Sequence, residues 1–254
     1  MLYSIAGATL LILGGVGAYF AYTTYLAKIQ PIVLAPSVSA PIFVDEREKI
    51  TATTPRTILQ AIEQSATRPL APNEVRFLYT DSATGSTGSP QAPTDNSVFA
   101  TLQLPAPGAL LRNMNAADSM AGIVSAGGSQ NAFFILSVSS YSQTFAGMLL
   151  WESKMARDLA ALFPPYPQMV AATTTAATST PKVGTKVAAP PPAPMFVPSF
   201  TDEVVSNHDV RVYRDAAGKS VLLYGYWNQT TLIIARDPAA FTELIGRLAT
   251  VRTQ

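Results

Sequence analysis

The sequence predicts an α+β protein, in which one N-terminal transmembrane helix precedes a mainly antiparallel sheet with helices packed on it. Three observations lead to this prediction. An uncharged apolar run opens the chain, an amphipathic helical pattern occupies residues 142–163, and strand-like segments joined by short turns fill the C-terminal part. A segment of mostly alanine, threonine and proline lies between the amphipathic helix and the C-terminal strands, and it predicts a disordered loop that interrupts the sheet.

The N-terminal run predicts an uncleaved membrane anchor over residues 1–28. No charged side chain occurs before Lys28, and about 20 apolar residues suffice to cross the roughly 30 Å hydrocarbon core. A cleaved signal peptide is the competing interpretation, but a basic n-region and a well-placed small-x-small site are both missing. We therefore expect residues 4–26 to contact the lipid bilayer.

The sequence gives weaker signals for the side of the membrane on which the C-terminal domain lies. Lys28 follows the run and only the α-amine precedes it, so the distribution of positive charge hardly distinguishes the two orientations. Because the N-terminal tail is very short, we expect the C-terminal domain to lie outside the cytoplasm, anchored in the cytoplasmic membrane. Residues 29–41, with three prolines, predict an extended spacer, and residues 42–254 predict the α+β domain.

The first half of the domain mixes short strands and helices. Residues 42–50 and 74–80 predict strands, and Thr54-Pro55 predicts the start of a helix with Ile58, Leu59 and Ile62 on one face. Residues 81–96 predict a flexible loop, and residues 97–104 and 105–114 predict short helical segments. Residues 120–125 and 132–139 predict a hairpin joined by GGSQN.

The second half begins with the amphipathic helix of residues 142–163. After the predicted flexible loop of residues 168–198 come three strands, HDVRVYRD, SVLLYGYW and TTLIIARD, joined by AAGK and by a two-residue turn at Asn228-Gln229. Asp237-Pro238 predicts the start of the last helix, whose buried face carries Phe241, Leu244, Ile245 and Leu248. Because three strands and one helix make a marginal domain, we expect them to join the earlier hairpin in one sheet.

Composition excludes several classes of function. The net charge is +1, so no basic field indicates nucleic-acid binding. There is no cysteine, and His208 is the one histidine, which excludes thiolate and multi-histidine metal sites within one chain. A phosphate loop, a GxSxG elbow and an HExxH helix are also missing. We expect no cofactor, no metal and no enzymatic activity.

Two sets of residues remain as candidates for a site. Tyr213, Tyr224, Tyr226 and Trp227 crowd the predicted C-terminal strands and predict an aromatic binding face if one sheet face is open; packing under helices is the ordinary alternative. Carboxylates at Glu152, Asp202 and Asp209 suit acid–base chemistry only if two of them meet. His208 is interpreted as the first residue of a strand, hydrogen-bonded to its neighbours.

The segments FAGMLLWESKMARDLAALF and DVRVYRDAAGKSVLLYGYW carry a resemblance. The chain resembles a group of uncharacterised membrane-anchored proteins of candidate-phyla (Patescibacteria-type) bacteria. In that group an anchor and a proline spacer precede an FAGMLxWE helix that ends in DLxxLF, and a DxRVxxDxxGxxxLLYGF-like hairpin follows. The resemblance covers most of the chain from about residue 42, apart from the two loops. It implies this architecture and a cell-envelope setting, and it implies no activity and no site residue.

The functional expectation is a noncatalytic membrane-anchored envelope protein. Its extracytoplasmic domain is expected to bind a protein partner, in a pilus, secretion or surface assembly. Two alternatives stay open from the sequence. One is a ligand or cell-wall sensor that uses the aromatic sheet face, and the other is an envelope hydrolase that uses the carboxylates.

Overall fold

A computed structural model describes Ala18, Tyr19, Tyr22 and residues 40–52, 54–80, 98–166 and 196–251. Ala18, Tyr19 and Tyr22 are helical and belong to a unit of their own, Met1–Ser37, whereas Val38–Gln254 is a second unit. No helix among the described residues is both long enough and apolar enough to span a membrane. The rest of the predicted anchor, most of the spacer, the loop of residues 81–96 and residues 168–195 of the second loop lie outside the described residues.

The second unit confirms the α+β class and the mainly antiparallel sheet. Its described elements, in chain order, are β1 (Glu46–Ile50), α1 (Pro55–Thr67), β2 (Val75–Thr80), α2 (Val98–Leu102), α3 (Gly108–Asn113), β3 (Met114–Ala126), β4 (Ser129–Val138), α4 (Tyr141–Asp158), β5 (Ser199–Val205), β6 (His208–Arg214), β7 (Ser220–Asn228), β8 (Thr231–Ala235) and α5 (Pro238–Val251).

All eight described strands form one sheet, in the order β1-β2-β3-β4-β8-β7-β6-β5. Strands β1 and β2 are parallel, with α1 between them in the chain, and the other neighbours are antiparallel. The two halves of the chain meet where β4 pairs with β8, in a register that places Leu136 opposite Leu232. The expectation that the C-terminal strands join the earlier hairpin is therefore confirmed.

Helices cover both faces of the sheet, because the strands alternate apolar side chains toward each face. On the first face, α1, α2, α3 and α4 pack over a core that includes Ile58, Leu110 and Trp151. On the second face, α5 packs Phe241 and Leu244 against Val212, Leu223 and Ile233, among others. The sheet is thus the middle of three layers. The predicted buried face of the last helix is confirmed.

Capping residues begin the two helices where the sequence predicts them. The Thr54 side chain accepts a hydrogen bond from the backbone N–H of Thr57, and Pro55 is the first helical residue. Asp237 Oδ1 accepts a hydrogen bond from the Ala240 N–H at 2.9 Å, ahead of α5. Between β3 and β4, Gly127 and Gly128 adopt φ values of 60° and 79°, which a tight hairpin turn requires.

Some boundaries differ from the predictions. Strand β3 begins at Met114, six residues early, and contains an irregularity between Asn115 and Met120. There the Ser119 hydroxyl donates to the Asn115 carbonyl and accepts from the Ser137 N–H, so it replaces a missing ladder contact. Helix α4 ends at Asp158, although Leu159, Leu162 and Phe163 remain buried beyond its end.

The largest omission from the sequence prediction is β5. Residues 199–205 pair with β6 through a two-residue turn in which Ser206 and Asn207 have φ values of 50° and 61°. The predicted flexible loop therefore ends earlier than residue 198, because the Phe196 N–H already donates to the Ala216 carbonyl. The turn before β8 is also shifted by one residue: Asn228 ends β7, and Gln229 and Thr230 form the turn.

Candidate functional site

A cleft of about 750 Å³ lies on the first face, between the start of α4 and strands β5 to β7. One wall comes from α4 and the floor from β6 and β7, and the turn between β5 and β6 closes one end. The cleft is lined by Tyr141, Phe145, Asp202, Glu203, Val204, Asn207, His208, Asp209, Val210, Arg211, Tyr224, Gly225 and Tyr226. Three further clefts among the described residues have volumes of about 470, 350 and 270 Å³.

Three aromatic rings form one wall of the cleft. The rings of Tyr141 and Phe145, one turn apart on α4, stack at a centroid distance of 5.7 Å. Tyr226 of β7 meets the Tyr141 ring edge-on at 4.8 Å, an arrangement that aromatic pairs favour. Tyr141 remains 44% exposed, so this wall presents apolar ring surface to solvent.

A hydrogen bond fixes the position of Tyr226 within this wall. Its hydroxyl donates to Thr144 Oγ1 at 3.0 Å, and Thr144 in turn donates to the carbonyl of Ser140. Burial raises the pKa of Tyr226 to about 12, so the hydroxyl stays a neutral donor at physiological pH. The hydrogen bond therefore holds the Tyr226 ring in place while its hydroxyl remains uncharged.

The floor of the cleft is organised around Arg211. Its Nε and Nη2 donate to the two carboxylate oxygens of Glu152 at 2.7 and 2.6 Å, which is a bidentate pair. Its Nη1 lies 2.9 Å from Asp202 Oδ1. The Tyr224 hydroxyl donates to Glu152 Oε1 at 2.7 Å. These contacts join α4 to three neighbouring strands.

The same contacts keep Arg211 charged and Tyr224 neutral. The hydrogen bond to Glu152 raises the pKa of Arg211 further above its already high value, so the guanidinium is always charged. Burial, and then the hydrogen bond to Glu152, raise the pKa of Tyr224 well above its usual range. Because the Glu152 carboxylate accepts three hydrogen bonds from the protein, its lone pairs are largely occupied.

The rim along β5 and β6 carries negative charge. Asp202 and Asp209 are exposed on this rim, and the Asp202 side chain is 86% exposed although it contacts Arg211. Among the described residues Asp209 has no ion-pair partner. Glu203 is neutralised by a bidentate pair with Arg214 at 2.8 and 2.7 Å, whose hydrogen bonds hold the pKa of Glu203 below its usual value.

The absence of a side chain at Gly225 brings the two layers behind the cleft together. A Cβ atom there would lie 2.6 Å from Val210 Cγ1 and 3.0 Å from the Phe241 ring. Both distances are shorter than ordinary van der Waals contacts. Glycine therefore allows α5 to pack closely against the strand that forms the cleft floor.

The structure brings together only part of the predicted aromatic face. Tyr213, Tyr224 and Tyr226 point to the first face, but Tyr224 is only 1% exposed and Tyr213 packs against Phe200 at 5.3 Å. Trp227 belongs to the second face, where its ring stacks with His208 at 5.2 Å. Tyr226 is the member that lines the cleft with a partly exposed ring.

The histidine and the carboxylates that the sequence singled out make contacts within the fold. His208 begins β6, as predicted, and its Nδ1 lies 2.8 Å from the Ser206 carbonyl oxygen. Glu152 and Asp202 contact different nitrogens of the Arg211 guanidinium, so the two carboxylates are bridged by a cation rather than paired with each other. The described residues contain no group of three side chains that could hold a metal ion.

Sequence reasoning missed Tyr141 and placed Phe145 only within the amphipathic helix of residues 142–163. Their spacing of four residues was the available signal, because residues four apart on a helix are neighbours. Nothing in the spacing shows, however, that both rings contact Tyr226 of β7. Compared with protein-family models, with curated proteins and with solved structures, the chain matches none of them.

Proposed function

We propose that this chain is a noncatalytic, membrane-anchored envelope protein whose extracytoplasmic domain binds a protein partner through the cleft beside α4. One observation carries the proposal: the partly exposed ring wall of Tyr141, Phe145 and Tyr226 is held in a fixed geometry. Exposed aromatic rings that are already ordered give contact area at little cost in entropy. Such a wall favours recognition of another polypeptide.

The polar groups of the cleft support binding rather than catalysis. A carboxyl group that serves as a general acid or base must be free to exchange a proton with the substrate. Glu152 is instead held by Arg211 and Tyr224, and Asp202 contacts the same guanidinium. These contacts fix the cleft floor, so a carboxylate-dependent hydrolase is less well supported.

The proposal includes the membrane setting that the sequence predicts. Residues 4–26 contact the bilayer of the cytoplasmic membrane, residues 29–41 form a spacer, and residues 42–254 form the domain outside the cytoplasm. The loop of residues 81–96 and the second loop, shortened to residues 168–195, are flexible insertions in it. The partner belongs to an envelope assembly such as a pilus, secretion or surface complex.

A ligand or cell-wall sensor is the second candidate. A cleft of about 750 Å³ has the size of a small-molecule site, and aromatic rings with a few polar groups are typical linings for one. The cleft is open toward β5, however, and this suits an extended partner better than an enclosed ligand.

Site-specific photocrosslinking in the native cells tests the proposal. A photoreactive phenylalanine analogue is placed at Tyr141, on the cleft wall, and in a control variant at Gln60, which is exposed on α1. We expect a discrete crosslinked product, larger than the chain, from the Tyr141 position and not from the Gln60 position. Identical products from both positions would contradict the assignment of the cleft, and no product from either would contradict a protein partner.

A further inference from the structure

Strand β5 leaves one edge of the sheet open beside the cleft. It is the last strand in the sheet order, and in the described part of the chain nothing pairs with its outer edge. Val204 on this strand is 69% exposed, although it is apolar. Open edges with exposed apolar residues are sites at which another strand can add.

The turn geometry identifies the backbone groups that face outward. Positive φ values at Ser206 and Asn207 are those of a type I′ hairpin, which closes on the hydrogen-bonded pair Val205 and His208. Because hydrogen-bonded and non-hydrogen-bonded pairs alternate, Glu203 also bonds to β6. Val204, Asp202 and Phe200 therefore direct their N–H and C=O groups outward.

The same three residues direct their side chains to the first face, where Phe200 packs against Tyr213 and Tyr224. Asp202 and Val204 line it, and Asp202 is paired with Arg211 on the next strand. A strand added along β5 would place every second side chain on this face, within about 5 Å of Asp202 and Val204. The cleft and the open edge therefore form one continuous surface.

We propose that the partner enters as an extended polypeptide segment that pairs with the outer edge of β5 and directs a lysine or arginine side chain toward Asp202 and Asp209. This inference rests on the proposed function and specifies its partner. The charge of the rim supports it, because Asp209 has no cation of its own among the described residues and Asp202 is exposed. A long basic side chain on the cleft face reaches both carboxylates, and Val204 provides apolar contact beside it.

A second copy of the chain fits this edge less well. In the antiparallel register that overlaps all of β5 with its copy, Asp202 would lie directly opposite Asp202. Like charges in directly opposed positions destabilise a strand pair. A segment from a different polypeptide, with the opposite charge, is the better occupant.

Peptide display on the full chain in detergent micelles tests this inference. The probe is a phage-displayed library of random linear peptides of about 12 residues, a length that spans one strand. We expect the enriched peptides to carry lysine or arginine two positions from apolar residues. Replacing Asp209 by asparagine should weaken the preference for the basic position.

The deciding comparison uses two substitutions at Val204. Val204→Pro removes an N–H group that points outward, and edge strands tolerate proline, so β5 should still pair with β6. We expect this variant to bind the enriched peptides at least about tenfold more weakly, a loss of about 1.4 kcal/mol. Val204→Thr keeps the N–H group and should bind within about threefold of the unchanged chain. Thermal unfolding checks that both variants are folded.

Other results would count against pairing of a polypeptide segment with the outer edge of β5. Equal binding by both Val204 variants, or no enrichment at all, would overturn it. If Tyr141→Ala abolishes binding but Val204→Pro does not, the partner uses the cleft without the edge, and the proposed function stands while this inference falls. A dimer that Val204→Pro dissociates would assign the edge to a second copy instead.

Discussion

Around the cleft, individual charged side chains act mainly by fixing one another. Arg211 and Arg214 each hold a carboxylate through two nitrogens, and a planar guanidinium does this with little remaining freedom. Glu203 differs from Glu152 in its position, because it lies on the strand at the sheet edge and its side chain is 27% exposed. Its ion pair with Arg214 is therefore open to titration by the solvent.

Replacing Glu203 by glutamine should remove a contribution to stability that depends on pH. The pKa of Glu203 is lowered from 4.5 in the folded chain, so the unfolded chain binds more protons as the pH falls. The ion pair therefore stabilises the fold fully above pH 4.5, and its contribution is lost as the pH falls through the lowered pKa. Because the ion pair is partly exposed, we expect it to contribute only about 0.5–1 kcal/mol to the free energy of unfolding.

Thermal unfolding of the unchanged chain and of Glu203→Gln measures this effect. The difference in Tm should be largest near pH 7 and should shrink toward zero in strong acid. Glu63→Gln is the control, since Glu63 is exposed and has no ion pair within the described residues. A Tm difference for Glu203→Gln that stays the same at every pH would show that the ion pair is not its cause.

Among the secondary-structure elements, α4 is joined to the C-terminal strands by the contacts of Glu152. This carboxylate bonds Arg211 of β6 and Tyr224 of β7, and its side chain is only 15% exposed. Tyr226 makes the second polar contact, to Thr144 near the start of the helix. These contacts hold the helix over strands that lie far from it in the chain.

Glu152→Gln should loosen this connection. The amide keeps the shape of the side chain but leaves the mostly buried Arg211 without its bidentate partner, at a cost of about 2 kcal/mol. For a domain of this size, the Tm should fall by roughly 4–8 °C. Asp202→Asn is the matched control, because it removes the exposed carboxylate from the same guanidinium and should cost less than about 0.5 kcal/mol.

If Glu152→Gln and Asp202→Asn lowered the Tm equally, the difference in burial between the two carboxylates would not affect stability. A loss confined to Asp202→Asn would contradict the role assigned to Glu152. Tryptophan fluorescence gives a second readout, because Trp151 lies next to Glu152 on the helix and its indole N–H donates to Asp158.

Strong local patterns explain which elements the sequence could predict. Thr54-Pro55 and Asp237-Pro238 each act through neighbouring residues, and the structure confirms both helix starts. The hairpin predicted at GGSQN is confirmed too, but its turn consists of Gly127-Gly128 alone, because β4 begins at Ser129. Strand β5 was missed because Asp202 and Glu203 break its apolar alternation, and edge strands tolerate such charges. Tyr226 and Trp227 point to opposite faces of the sheet, because successive side chains alternate along a strand. The prediction that all four aromatic residues share one face did not apply this rule, although the sequence was enough to do so.

The cleft is harder to predict, because it depends on which elements meet. Tyr141 and Tyr226 are far apart in the sequence, and so are Glu152 and Arg211. Their contacts depend on where α4 crosses the sheet, and this position is set by packing over the whole first face. A single sequence contains no direct signal for such a crossing.

For the whole molecule, the membrane anchor remains a prediction with a simple test. The full chain should stay in the membrane pellet after an alkaline carbonate wash, because about 20 apolar residues bind the bilayer effectively irreversibly. A variant that lacks residues 1–28 should appear in the soluble fraction. Protease added to intact spheroplasts should degrade the domain of the full chain if it lies outside the cytoplasm.

Two results would contradict this prediction. Release of the full chain by carbonate would show that the N-terminal run does not span the bilayer. Protection of the domain until the membrane is opened by detergent would place it on the cytoplasmic side.

The pairing of β4 with β8 also affects how the protein is made. Strand β8 leaves the ribosome about 100 residues after β4, yet it covers an edge of that strand. Until then, β4 presents an open apolar edge that includes Phe134 and Leu136. Synthesis that stops before β8 should therefore yield aggregation-prone fragments, because the sheet is completed only when β8 pairs with β4.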